Sequence, residues 1–166
     1  GSHKNINVTN PEGVTGSVTL KGYFNANSNP FEGSVSLNNG ATLSEGTNFG
    51  AVSISGDYTL GTDITADTVT VQRSSSMKVA EGTDYTIDAD LILYAYYWQQ
   101  SYYESYVNVY GDLTLIGNVS YREDAATSYC YLNVYDGGVL RLTGDQNVPL
   151  TEHSGTVEFC GDTQQK

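Results

Sequence analysis

The chain has 166 residues, with 19 acidic against 7 basic side chains, a formal charge of −12, and only two cysteines, Cys130 and Cys160. That length buries a sizeable core without covalent staples, so a disulfide scaffold is excluded. The charge repels nucleic acid and anionic membrane surfaces, and no stretch reaches the apolar length of a membrane span.

Gly1–His3 read as a tag remnant, leaving 4–166 as one domain, expected to be a fragment of a larger protein. The first periodic element begins at Val18. Val18, Val35, Val52 and Val69 stand 17 residues apart, and each is followed two residues later by an apolar partner: Leu20, Leu37, Ile54, Val71. Eight residues after each valine comes a second small or apolar residue, Ala26, Leu43, Leu60 or Met77. Turn formers such as Gly40, Asp57 and Ser74 separate the two arms. Period-two alternation means short strands with one buried face. The turn residues forbid a single long strand.

Regular 17-residue units cover 18–84, and irregular ones follow over 85–165. There Leu91/Leu93, Val107/Val109, Leu132/Val134 and Val157/Phe159 repeat the first arm, at steps of 22, 16, 25 and 25 residues. Leu115 and Leu140 repeat the second. A β-sandwich and a β-solenoid both fit short strands, but only stacked coils demand equivalent residues at fixed offsets. The expected fold is all-β: a single-stranded parallel β-helix (β-solenoid) of roughly eight short rungs, with loop insertions in the C-terminal half.

If Val107 and Val109 point inward, Tyr106, Asn108 and Tyr110 point outward. Tyr131, Asn133 and Tyr135 then stack on them. The same alignment puts Asp90, Ile92 and Tyr94 one rung earlier and Thr156, Glu158 and Cys160 one rung later. The first rungs give Ser34, Ser36, Asn38, then Ala51, Ser53, Ser55, then Thr68, Thr70, Gln72. One outer face therefore turns from hydroxylated to aromatic along its length. Eleven of the 14 tyrosines fall between Tyr94 and Tyr135, with the lone Trp98.

Aromatic pairs and asparagine ladders stabilise sheets without any further role. A contiguous exposed aromatic patch marks an interaction site. The insertion "YAYYWQQSYYESY", with Tyr94, Tyr96, Tyr97 and Trp98, has the Tyr/Ser palette of antibody combining loops. It reads as a loop or bulged rung leaving the stack. A second insertion, "IGNVSYREDAATSYCY", leaves nearby, and the two can wall a groove.

Reaction chemistry is not legible. His153 reads as an exposed loop residue, and no nucleophile elbow accompanies it. One histidine and two distant cysteines do not make a zinc site. Asp84, Asp88 and Asp90 lack the pattern of a calcium loop. Arg122 sits beside Glu123 and Asp124, which neutralise it. Alignment leaves Cys130 and Cys160 too far apart to bridge. The expectation is a non-enzyme without cofactor or metal.

The phrases "GSVSLNNGATLSEG", "GDLTLIGN" and "GTVEFCGDTQQ", with the closing G-T-V-x-F-x-G-x-x-x-Q from Gly155 to Gln165, resemble rungs of right-handed parallel β-helix modules in large secreted bacterial surface, adhesin-like proteins. The resemblance implies a fold and an extracellular place on the bacterial cell surface; it implies no activity. The expected function is a non-catalytic binding module, monomeric in isolation, that recognises a host or neighbouring-cell macromolecule through the Tyr/Asn face. A protein partner, such as a host secreted glycoprotein or immunoglobulin, is favoured because tyrosine and serine accompany acid rather than spaced tryptophans. A carbohydrate-binding module and a passive stalk spacer are the alternatives.

Overall fold

The computed structural model describes residues 5–7, 17–20, 23–25, 31–37, 41–43 and 48–161. It is all-β with parallel sheets. In the first sheet, Ser17–Leu20, Phe31–Leu37, Asn48–Ile54, Ile64–Val71, Asp84–Leu93, Asp112–Ile116, Val139–Leu142 and Thr156–Phe159 lie side by side in chain order. Val119–Tyr121 pairs with the end of Asp84–Leu93. The second sheet holds Asp57–Thr59, Ser75–Val79, Ser105–Val109, Cys130–Val134 and Leu150–His153, again in chain order. A third, of Asn5–Asn7, Tyr23–Asn25 and Thr42–Leu43, is also parallel. Parallel neighbours need a long crossover between them. Here the crossover is itself a strand: from Asn48 onward the chain alternates between the first and second sheets, except that Asp112–Ile116 and Val119–Tyr121 both join the first and Tyr96–Trp98 and Ser101–Tyr103 pair only with each other.

The fixed 17-residue step survives as register. Val35, Val52, Val69 and Leu91 are successive partners, as are Leu37, Ile54, Val71 and Leu93. All eight are fully buried. On the second sheet Met77, Val107 and Leu132 form a column, beside Val79, Val109 and Val134. These inward rows belong to one apolar cluster running from Val35 to Val148. Each such side chain contributes roughly 1.5–3 kcal/mol on burial, so these columns hold the strands in register. Among the described residues no fully buried side-chain nitrogen or oxygen lacks a hydrogen-bond partner.

Four alignments are corrected. Met77 is partnered by Tyr58, not Leu60; Tyr58 is buried with its hydroxyl donating to the Ala41 carbonyl at 3.0 Å. Val107/Val109 do not follow Leu91/Leu93. They lie on the second sheet over Met77/Val79, and Leu91/Leu93 are instead followed by Val119/Tyr121. Val157/Phe159 sit on Leu140/Leu142 in the first sheet rather than on Leu132/Val134, and Leu115 pairs with Leu142 rather than Leu140. Met77 and Leu115 are each paired two residues away from the expected partner within one sheet, a slip that period-two alternation leaves unmarked. For Val107/Val109 and Val157/Phe159 the reason is that both sheets use the same apolar-x-apolar phrase, so the phrase alone does not say which sheet it enters. Consequently the serine-threonine row and the tyrosine rows occupy different sheets, not one continuous face. The expectations for Gly1–His3, Ala26, Asn38, Gly40, Gln164 and Gln165 lie outside the described residues.

Candidate functional site

The tyrosine-asparagine face forms where two strands of the second sheet run side by side. Pairing of Ser105–Val109 with Cys130–Val134 sets Tyr106 beside Tyr131 and Asn108 beside Asn133. The Tyr106 and Tyr131 rings stack at 4.7 Å and 16° between planes. Tyr110 and Tyr135 stack at 4.3 Å and 2°. Between the stacks, Asn133 Nδ2 donates to Asn108 Oδ1 at 2.8 Å. Glu104 closes one end, accepting from the hydroxyls of Tyr106 and Tyr131. Lys78 closes the other, its Nζ 5.0 Å from the Tyr110 ring centroid.

Desolvation, followed by the Glu104 carboxylate, pushes the Tyr106 and Tyr131 phenols above their usual pKa. Desolvation and then Tyr110 push Tyr135 up. These phenols stay neutral donors throughout the physiological range. The neighbours on either side are not those expected from the sequence. Ser76 and Lys78 precede Tyr106 and Asn108, and Glu152 follows Asn133.

The first insertion is an antiparallel hairpin of Tyr96–Trp98 and Ser101–Tyr103. Gln99 and Gln100 form its turn with φ of 48° and 63°. Two consecutive left-handed residues are the signature of a type I′ turn, whose twist matches a hairpin. Its pairs are Tyr96 with Tyr103, Tyr97 with Tyr102 and Trp98 with Ser101. Alternation therefore puts Tyr96, Trp98 and Tyr103 on one face and Tyr97 and Tyr102 on the other.

Tyr97 and Tyr102 stack at 5.0 Å, and Tyr96 and Trp98 lie within 14° of parallel. Tyr129, in a 3₁₀ turn over Thr127–Tyr129, meets Tyr102 at 4.3 Å, so the second insertion reaches the first. Arg73 lies 5.5 Å from the Tyr96 ring centroid at the hairpin's base. Trp98, Tyr102 and Tyr97 are 55%, 54% and 47% exposed, against 7% for Tyr94 and 6% for Asn133.

Of the ten residues singled out from the sequence, Tyr106, Asn108, Tyr110, Tyr131, Asn133 and Tyr135 form the stacked face, and Tyr96, Tyr97 and Trp98 form one hairpin strand. Tyr94 belongs to neither: Arg122 covers its ring at 4.1 Å, and it is buried. Asn133 is placed as expected but enclosed. Tyr102, Tyr103, Tyr129 and Glu104 were not singled out. The first two were discoverable, because Tyr-Tyr-Trp-Gln-Gln-Ser-Tyr-Tyr reads as two aromatic arms about a polar pair.

Arg122 pairs with Asp124 at 2.8 Å. Arg141 bridges Asp112 at 3.1 Å and Glu158 at 2.9 Å across three neighbouring strands. His153 ends the strand Leu150–His153 rather than lying in a loop, and it is exposed. Cys130 is buried and Cys160 exposed, both as free thiols. Among the described residues no three His, Cys, Asp or Glu side chains converge as a metal site would require. Comparison of the chain with protein-family models, with curated proteins and with solved structures finds no match.

Proposed function

We propose that the chain is a β-solenoid, its sheets the walls of successive coils, and that it serves as a non-catalytic binding module of a bacterial cell-surface protein. The partner is a host or neighbouring-cell protein, of the kind of a secreted glycoprotein or immunoglobulin. The observation that carries this reading is the hairpin. Three large aromatics on it are about half exposed, on both of its faces. Isolated exposed aromatics need no explanation, but a clustered set on a projecting element does. Tyrosine and tryptophan supply contact area at low entropic cost and keep a polar tip for hydrogen bonding.

The stacked face plays the supporting part. Its rings are half-buried against each other, and the hydroxyls of Tyr106 and Tyr131 already serve Glu104. It braces the strand that follows the hairpin, and the contact centre lies on Tyr97, Trp98 and Tyr102. The carbohydrate-binding alternative draws on one feature: Trp98, near-parallel to Tyr96, offers a flat ring on which a sugar can stack. A passive spacer has no use for an aromatic hairpin.

The test is the variant Tyr97→Ser/Trp98→Ser/Tyr102→Ser, compared with the unaltered domain on immobilised immunoglobulin, on mucin and on a glycan array. Loss of a protein interaction by the variant, with unchanged circular dichroism, supports the reading. Equal retention by both domains removes the hairpin as the contact. Selective retention on glycans replaces the protein partner with a saccharide.

A further inference from the structure

Away from the hairpin's exposed faces, an open groove of about 440 Å³ crosses the outer side of the first sheet at its turn into the second. Ser36, Ser53, Ser55, Gln72, Arg73 and Ser74 line it. Register builds the row: Ser36 lies beside Ser53, and backbone bonds from Ser55 to Leu37 and from Gln72 to Ile54 continue it. The turn beneath is fixed by Ser75, whose hydroxyl donates to the Arg73 carbonyl at 3.2 Å and accepts from the Gly56 amide at 3.0 Å. Ser74 holds a left-handed φ of 55° there.

Two properties set this groove apart. The chain carries 19 acidic residues, yet no carboxylate lines the groove. Among the described residues Arg73 has no carboxylate partner, whereas Arg122 and Arg141 are both paired. The guanidinium rests against Tyr96 and keeps its donors for something else. Gln72 Nε2 donates to Ser53 Oγ at 3.0 Å, but among the described residues no partner engages the hydroxyls of Ser36, Ser55 or Ser74.

We propose that this groove binds one acidic sugar unit, its carboxylate on Arg73 and its hydroxyls on the serine row. The volume falls in the range of small-ligand sites. A row of hydroxyls and an amide matches the donor–acceptor alternation of a polyol, and a guanidinium fork matches a carboxylate. A highly charged ligand fits worse. The chain's net charge of −12 opposes it, and one arginine offsets only one negative charge at short range. The groove lies on side chains other than those of the hairpin contact, so either reading can fail alone.

The experiment uses the unaltered domain with N-acetylneuraminic acid, glucuronic acid, their methyl esters, and N-acetylglucosamine 6-sulfate, followed by heteronuclear NMR. The acids are expected to give saturable shifts at Ser53, Ser55 and Arg73. The esters and Arg73→Gln each should weaken binding by about tenfold or more, the loss of a charge-assisted hydrogen bond. Binding of esters as tightly as acids, an unaltered affinity in Arg73→Gln, a response to the sulfated sugar alone, or no saturable shift overturns the proposal. Because Arg73 is exposed, the variant is expected to melt with the unaltered domain.

Discussion

Asn133 donates to Asn108 across 2.8 Å, and the pair sits between two tyrosine stacks on adjacent strands. Asn133 is 6% exposed, so its amide has little access to water and depends on its neighbour. Removing one partner leaves the other under-satisfied, which costs more than the bond's net worth. Asn133→Ala is expected to lower stability by about 1 kcal/mol and Tm by roughly 2–4 °C. A double-mutant cycle with Asn108→Ala should show coupling; strict additivity would mean that the amides do not support each other.

Part of the alkaline stability should follow Tyr58. Burial, and then its neighbour Tyr85, push the Tyr58 phenol from 10 to about 12. A folded-state pKa above the unfolded one means that the neutral phenol is favoured by folding. The associated stability is fully present below pH 10 and is lost as pH rises towards about 12. At about 1.4 kcal/mol per pH unit the loss is on the order of 3 kcal/mol. Denaturant melts between pH 9 and 12 should therefore show a stability decline that Tyr58→Phe reduces by that amount, the rest belonging to Tyr106, Tyr131 and Tyr135, whose phenols folding also raises. Tyr58→Phe should itself be less stable at neutral pH, by about 1 kcal/mol for the lost bond to Ala41. An unchanged decline in the variant would assign it to other phenols.

What was legible in the sequence follows from what each part of the structure must repeat. Val35, Val52 and Val69 are register partners because strands without insertions keep a constant step, and a constant step is visible in one chain. Side-by-side pairing of Tyr106 with Tyr131 was legible for the same reason: the local phrase is duplicated whole. The sheet to which that phrase belongs was not legible. Alternation has period two on every strand, so Val107 fits over Leu91 or over Met77 equally well. Only spacing separates the two, and the hairpin erases spacing between Leu93 and Ser105. Enclosure of Tyr94 was hidden too, since it depends on Arg122 folding back from the second insertion.

Gly117 tests the close approach of neighbouring strands at a turn. Its φ is 138°, and a Cβ built on it would meet the Ala89 carbonyl oxygen at 2.4 Å. Gly144 packs on Gly117 in turn, with a built Cβ 2.1 Å from its carbonyl oxygen. Both contacts are backbone to backbone, so no side chain can move aside. Gly117→Ala adds backbone strain of about 1–3 kcal/mol to the clash. Tm should fall by at least roughly 4 °C, the shift that about 2 kcal/mol gives at this size. Gly137→Ala is the control. It has φ 82° but nothing within 4 Å of a Cβ, so it carries strain without collision and should lose less. Equal losses would show that approach between turns does not matter.

The hairpin turn supplies the last prediction. Gln99 and Gln100 both hold left-handed φ, which costs an ordinary L-residue about 1–2 kcal/mol each. Asn-Gly at the same two positions is the favoured type I′ pair. Gln99→Asn/Gln100→Gly should therefore stabilise the hairpin. Because such an element opens by itself, the global Tm should barely move. The gain should appear as slower amide exchange at Trp98 and Ser101, the hydrogen-bonded pair that flanks the turn, by about tenfold for each 1.4 kcal/mol. If the hairpin is the contact element, the same variant binds its partner more tightly, since less ordering remains to be done on association. Slower exchange without tighter binding would leave the hairpin ordered and move the contact elsewhere on the molecule.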